Sequence, residues 1–284
     1  MTLPRNDGWR RDLEDASVII GLLAAKTPWK FKAAATPDEV RPDLEGIHPL
    51  ENQSSMGSCQ GFTITSCTER LYQIASGGAH EQLSNIFAYL ASQRITGDQL
   101  YGRDSGSTIS SGVQLSTQHG ICPLELAPYP QPVRYPNARE RQAILKQSNY
   151  AAGEPFKIRS SLGAVKSADH AIDLIGGGAV ITIGMGWPPQ IRDVDGRKTI
   201  VGPGGDNGGH AIAILGYKRD STLIAHNSHG YWLDIEPSAF NRILRQRWTV
   251  AVGLSDMANP QPRDVSYLAK KIRNRVGNLP ELFA

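Results

Sequence analysis

Hydrophobic period changes once along this chain, and that change narrows the fold more than any composition figure does. From Cys59 onward Cys59, Phe62, Ser66, Cys67, Leu71 and Ile74 share one face at helical spacing, until Gly77-Gly78 ends the run. A second helix is predicted through "QLSNIFAYLASQRI" and a third from about Ser107 to His119, closed by Gly120. "SADHAIDLIGGG" is one more helix, and after it the pattern becomes that of strands. "AVITIGM", "HAIAILGY", "STLIAHNS" and "RWTVAVGL" are apolar, β-branched and bounded by turn residues. Helices first and antiparallel strands later predict an α+β protein with a cleft where the halves meet.

At 284 residues the chain is long enough for one large domain or two lobes that share an interface. A formal charge of +3, without a basic stripe before the extreme C-terminus, gives no footprint for nucleic acid. No apolar run reaches the roughly 18 residues of a membrane span. "ASVIIGLLAAK" follows "RRDLED", and acidic residues before an apolar run do not make a signal peptide. Three cysteines, Cys59, Cys67 and Cys122, are too few for a disulfide framework. They favour a reducing compartment, the cytoplasm included, and leave delivery to a host or packaging in a virion open. No zinc-ligand spacing is present, so no metal or other cofactor is expected.

Prolines punctuate residues 1–50, which read as a leader wrapping the body. The main domain is expected over 51–255, helical to about 135 and β-rich from about 136, joined through the proline-rich "YPQPVRYPNARERQ". Residues 256–284 read as a tail, in which Leu268, Ile272 and Val276 line one side of a short basic helix that could meet a partner or the cleft.

Within "ENQSSMGSCQGF", Cys59 stands at a predicted helix start, where unpaired N–H groups and the helix dipole favour an anion. A thiol nucleophile needs a base, and the base needs an orienter. His210 opens the strand "GGHAIAILGY" and Asn227 closes the next, "LIAHNSHG". Neighbouring antiparallel strands could set them side by side. Gln53 could turn its amide toward the helix start and complete an oxyanion hole with the Cys59 N–H.

These segments resemble papain-family cysteine peptidases. "NQSSMGSCQGF" is similar to the family's nucleophile region, "GGHAIAILGY" to its histidine strand and "HNSHG" to its asparagine turn. "DSGSTISSGVQLSTQHGICPLELAPYP" resembles the substrate-binding loop, the helix after it and the proline-tyrosine turn. "LSNIFAY" and "GWRRDLED" resemble the compact branch found in bacteria and their viruses. The resemblance spans roughly residues 8–254. His210 and Asn227 lie further from Cys59 than the roughly 130–150 residues of papain-type sequences, which implies modest insertions. It implies the papain-like two-lobe α+β fold and hydrolysis of a peptide or protein substrate held in the cleft. Cys59 would be nucleophile, His210 base and acid, Asn227 orienter and Gln53 oxyanion donor. Ser105, Gly106 and Gly209 would offer substrate-binding backbone.

Departures are equally plain. Gln60 replaces the family's aromatic after the nucleophile, and Met56 stands where many relatives have a disulfide cysteine. His229 replaces the tryptophan that shields the His–Asn pair, so a less protected imidazole is expected. The same chemistry on the same fold would also serve an amidase, isopeptidase or transferase, and the replacements suit a weakly active binding or scaffold protein. Cys67 and Cys122 read as packing thiols, and His226 and His229 as solvated turn residues.

Overall fold

The computed structural model describes residues 37–45, 49–97, 101–205 and 208–258. Helix α1 (Cys59–Ala75) is followed by α2 (Asn85–Thr96), α3 (Ile109–Gln118), α4 (Ala138–Ile144) and α5 (Gln147–Gly153). Strand β1 (Ile158–Ala164) leads to α6 (Ala168–Gly176), β2 (Val180–Gly186) and the hairpin β3 (Gln190–Val194) and β4 (Arg197–Gly202). Then come β5 (Gly209–Tyr217), β6 (Leu223–Asn227), β7 (Tyr231–Ile235), α7 (Pro237–Leu244) and β8 (Val250–Met257). The eight strands form one sheet in the order β1-β8-β2-β5-β6-β7-β4-β3. Its pairings are antiparallel except that of β4 with β7, which run parallel, so the sheet is mixed rather than wholly antiparallel. Helices over a mixed sheet make this the expected α+β, papain-like architecture.

Two apolar clusters lie on opposite faces of the sheet, and β5 shows how the sequence sorts residues between them. Ala211, Ala213 and Leu215 join the cluster built with α1 and α2, while Ile212 and Ile214 join that of α6 and α7. Successive side chains of a strand point to opposite faces, so a strand covered on both sides must be apolar throughout. That is why "AIAIL" shows no alternation.

Helix α1 is the central element, and Cys59 through Gln73 are all buried. It is therefore enclosed all round rather than amphipathic, and Ile74, placed on the apolar face by spacing, is 45% exposed at the helix end. Its polar residues turn inward hydroxyls back onto the helix: Thr65, Ser66 and Thr68 donate to carbonyls four residues earlier at 2.7, 2.9 and 2.8 Å. Gly61 allows the helix to touch α2, since a Cβ there would lie 2.7 Å from the Asn85 carbonyl oxygen.

Strands β1, β3, β4 and β7 were not legible from hydrophobic runs. The β3–β4 hairpin does carry a local signal, Asp195-Gly196, with φ of 52° and 75°, the left-handed pair that a two-residue hairpin turn demands. Segment 37–45 lies against the body. Val40 pairs with Tyr217, Asp43 meets Arg197 at 2.8 Å, and Glu45 meets Arg70. Residues 1–36 and 46–48 of the leader, "GWRRDLED" included, and the predicted helix of the tail lie outside the described residues.

Candidate active site

Ser58 is the N-cap of α1 and Cys59 its first residue, so the thiol sits at the helix N-terminus as expected. The Ser58 hydroxyl is not used as a cap. It donates to Tyr129 Oη at 2.7 Å, and Tyr129 donates onward to the Gln53 carbonyl at 3.1 Å. The Tyr129 ring packs edge-on against Phe62, centroids 5.1 Å apart. A tyrosine from the proline-tyrosine turn thus pins both ends of the loop that enters α1.

Gln53 is buried, with 2% exposure. Its Nε2 donates to the Met56 carbonyl at 2.8 Å, its Oε1 accepts from Ser228 Oγ, and its backbone N–H donates to the Ser228 carbonyl at 2.7 Å. An amide nitrogen carries two hydrogens, and the bond to Met56 uses one of them.

His210 and Asn227 are both fully buried, and His210 Nε2 donates to Asn227 Oδ1 at 2.8 Å. The bond fixes the tautomer: with hydrogen on Nε2, the neutral ring keeps its lone pair on Nδ1. The register explains the approach. β5 pairs with β6 and His210 sits opposite Met185 of β2 at the start of β5, while Asn227 closes β6. Trp187, one residue past β2, lies 4.3 Å from the His210 ring, and His229 lies 4.6 Å from it, centroid to centroid. The expected loss of shielding therefore does not occur. Trp187 reaches the imidazole from a different strand end and takes over the cover that His229 alone would leave thinner.

Ser105 and Gly106 are buried in the loop before α3, and Gly209 opens β5 opposite Gly186. Asp104 ties that loop to the turn before Cys59. Its carboxylate accepts from the Gly57 N–H at 2.9 and 3.1 Å and from the Tyr89 hydroxyl at 2.7 Å. Tyr89 Oη accepts in turn from the Gly106 N–H at 3.1 Å and from Gln93 Nε2 at 3.0 Å. Burial, and then the Asp104 charge, push the Tyr89 hydroxyl far up, so it remains a donor at any working pH. Hydrogen bonds thus link Gln53 to Ser228 beside Asn227, Asn227 to His210, and the Cys59 turn to Gly106.

Other expectations are corrected. His226 is not a solvated turn residue: it is 4% exposed, with Nδ1 2.9 Å from Ser66 Oγ and Nε2 3.1 Å from the Pro49 carbonyl. Its side chain faces the interior of β6, and burial pushes its pKa down to about 4. His229 is half-buried and packs on His210; burial and then Lys198 hold it below the usual histidine range. Gln60 is buried, accepting from Ser107 Oγ at 2.7 Å and lying against Gly112 of α3, where an added Cβ would fall 1.6 Å from its Nε2. Carboxamide and glycine thus fit together where the family pattern has an aromatic. Cys67 and Cys122 are buried packing thiols, as expected, and burial raises both, Cys122 to about 12. Among the described residues no group of three or more His, Cys, Asp or Glu could hold a metal. None of their helices is long and apolar enough to cross a membrane.

Sequence reasoning missed Asp104, Tyr89, Tyr129, Trp187 and Ser228. Ser228 had a usable signal in its place beside Asn227. For the others the partner lies 15 to 76 residues away, and no local pattern marks them.

No family model matches the chain. In sequence it is 24% identical over 205 residues to papain of Carica papaya, which covers 72% of this chain; the chain spans about half, 51%, of the length of that relative. Among solved structures it resembles xylellain, a cysteine protease from Xylella fastidiosa, with a TM-score of 0.66 and 17% identity over 90% of this chain and 99% of that one. It also resembles the cysteine protease CMS1MS2 of Carica candamarcensis, solved with E-64. The TM-score there is 0.53 and the identity 20%, over 78% of this chain and 99% of that one. In sequence the chain is thus similar to papain, and in architecture it has the fold of the papain-like cysteine proteases.

Proposed function

We propose that this protein is a thiol hydrolase of peptide bonds in which Cys59, His210 and Asn227 act as a triad. The observation that carries the reading is the 2.8 Å bond from His210 Nε2 to Asn227 Oδ1, in a sheet on which α1 packs with Cys59 at its first turn. That tautomer presents Nδ1 as the base for the thiol. The helix N-terminus favours the thiolate that results. An extended peptide or protein substrate enters the cleft along Ser105, Gly106 and Gly209. The thiolate attacks the scissile carbonyl, and the second Nε2 hydrogen of Gln53, together with the Cys59 N–H, stabilises the oxyanion. His210 returns its proton to the leaving amine, and water then hydrolyses the thioester. The chemistry calls on no metal or cofactor. Three free thiols suit a reducing compartment.

Labelling tests the reading. The full chain is treated with E-64 or iodoacetamide at neutral pH and the modified residue is mapped by mass spectrometry. Stoichiometric labelling of Cys59, faster than of Cys67 and Cys122, whose thiols burial holds protonated, is expected, together with loss of peptide cleavage. Equal, slow labelling of all three thiols, or unchanged cleavage by Cys59→Ala, would overturn it.

A further inference from the structure

His210 is enclosed by two rings of different character. Trp187 covers it with an indole that carries no charge at any pH. On the His229 side it meets a second imidazole, centroids 4.6 Å apart and planes inclined by 37°. The two covering rings also touch one another, edge to face at 5.6 Å, so neither can swing away without disturbing the other. A bridge between Asn52 and His229 holds the backbone of this turn against the segment that carries Gln53.

We infer that His229 is a positioning residue of the proposed reaction that sets the acid limit of thiol reactivity through its ring contact with His210. The inference deepens the triad reading and rests on it. In the reactive state His210 is an imidazolium beside the Cys59 thiolate. A proton on His229 places a second positive charge against that imidazolium and so favours return of the His210 proton to sulfur. A neutral His229 imposes no such penalty.

The groups facing His229 act in a consistent direction. His210 comes from β5, Lys198 from β4 with its Nζ 4.1 Å from the Tyr231 ring centroid, and Tyr231 from β7 with its ring 6.4 Å from His229. Lys198 opposes protonation of His229, as does burial. His229 is therefore neutral at pH 7 and becomes charged on the acid side, below the ordinary histidine range. Two unit charges at this separation interact strongly even at a high effective dielectric, and partial exposure leaves a coupling worth about one pH unit.

The test follows the labelling rate of Cys59 by iodoacetamide from pH 4 to pH 8 in the full chain, with His229→Phe and His229→Gln measured beside it. The parent is expected to lose reactivity toward acid more steeply than one proton allows. Both variants should lose it with a one-proton slope, displaced about one pH unit lower. A phenyl ring fills the space and a carboxamide keeps polarity, so a limb that moves in both variants reports the lost titration and not lost packing. Limbs of equal slope and midpoint in all three proteins would overturn the inference while leaving the triad reading intact. A shift in only one variant would also overturn it, by assigning the effect to shape. Absence of selective Cys59 labelling in the parent at every pH would overturn the triad reading, and this inference with it.

Discussion

The two sides of the cleft are held in place by different physics. On the helical side the Cys59 turn is fixed by directional bonds: Asp104 to Gly57, Tyr89 to Asp104, Tyr129 between Ser58 and Gln53. On the sheet side His210 bonds to Asn227 and has ring faces packed on it, with Trp187 and His229 against it. Hydrogen bonds to a carboxylate fix position tightly and fail abruptly when one partner is lost. Ring contacts tolerate small displacements and screen the groups they cover from water. A nucleophile must meet its carbonyl in a narrow geometry, whereas a base must exchange protons while staying dry, and each wall suits the task proposed for it.

The largest effect that can break this contrast falls on the sheet side. His210→Ala is expected to reduce kcat/KM by about three to four orders of magnitude, and Asn227→Ala by clearly less, because nucleophile and base act as a unit while the orienter positions the base. Steady-state cleavage of a peptide substrate measures both. Equal, small losses in both would leave only a non-catalytic cleft.

Next in size is a pH effect on stability from His226, which lies under the same strand end. In the unfolded chain it titrates near 6.5, in the fold at about 4. The unfolded state therefore binds more protons between these values. The stability His226 contributes is complete above about pH 6.5 and is lost as pH falls to about 4, by about 3 kcal/mol. Glu51, pushed up to about 7 by burial, has the opposite sign between about 7 and 4.5. The His226 contribution is therefore read as the difference between parent and His226→Gln in denaturant unfolding across pH 4–8. The variant should lose less stability toward acid; parallel curves would refute the assignment.

Asp104 sharpens the helical side of the comparison. An asparagine keeps the shape but can offer only one acceptor atom to Gly57 and Tyr89. Asp104→Asn is expected to lower kcat/KM by about tenfold to a hundredfold, about 1.4–2.7 kcal/mol, with the loss shared between kcat and KM. Asp104→Glu should recover less than half of it, since reach as well as charge is required. An unchanged rate in Asp104→Asn would show that the clamp does not position the thiol.

The smallest expected effect tests whether the Gln60 replacement is built into the lobe. Gly112→Ala drives a methyl into the Gln60 carboxamide and should cost about 1–2 kcal/mol in thermal unfolding. The double variant Gly112→Ala, Gln60→Ala should recover most of that. Independent, additive losses would mean that the two positions do not share the space.

What could be read from the sequence follows the same division. Cys59, His210, Asn227 and Gln53 each sit in a short motif whose local structure could be read: a helix start, two strand ends, a turn six residues upstream. The helices α1, α2, α3 and α6 and the strands β2, β5, β6 and β8 were legible because their apolar spacing is dictated by what they pack on. Strand β1, "IRSSLGA", was not, because its strand character comes from pairing with β8, about 90 residues later, and not from its own residues. Asp104, Tyr89 and Trp187 were silent for the same reason. His226 misled because a histidine beside a turn asparagine has no sequence mark that separates exposure from burial.

The seam between Asn52-Gln53 and Ser228-His229 has a mechanical meaning. Through the Gln53 N–H bond to Ser228, the side-chain bond back from Ser228, and the bridge from Asn52 to His229, a segment that belongs to the helical lobe by sequence is fastened to the sheet lobe. The proposed oxyanion donor therefore travels with the asparagine turn whenever the lobes move against each other. Tyr129, bonded to both Ser58 and Gln53, ties this seam in turn to the start of α1. The groups proposed to line the base of the cleft are thus fastened to one another across both lobes, so the cleft has a riveted floor.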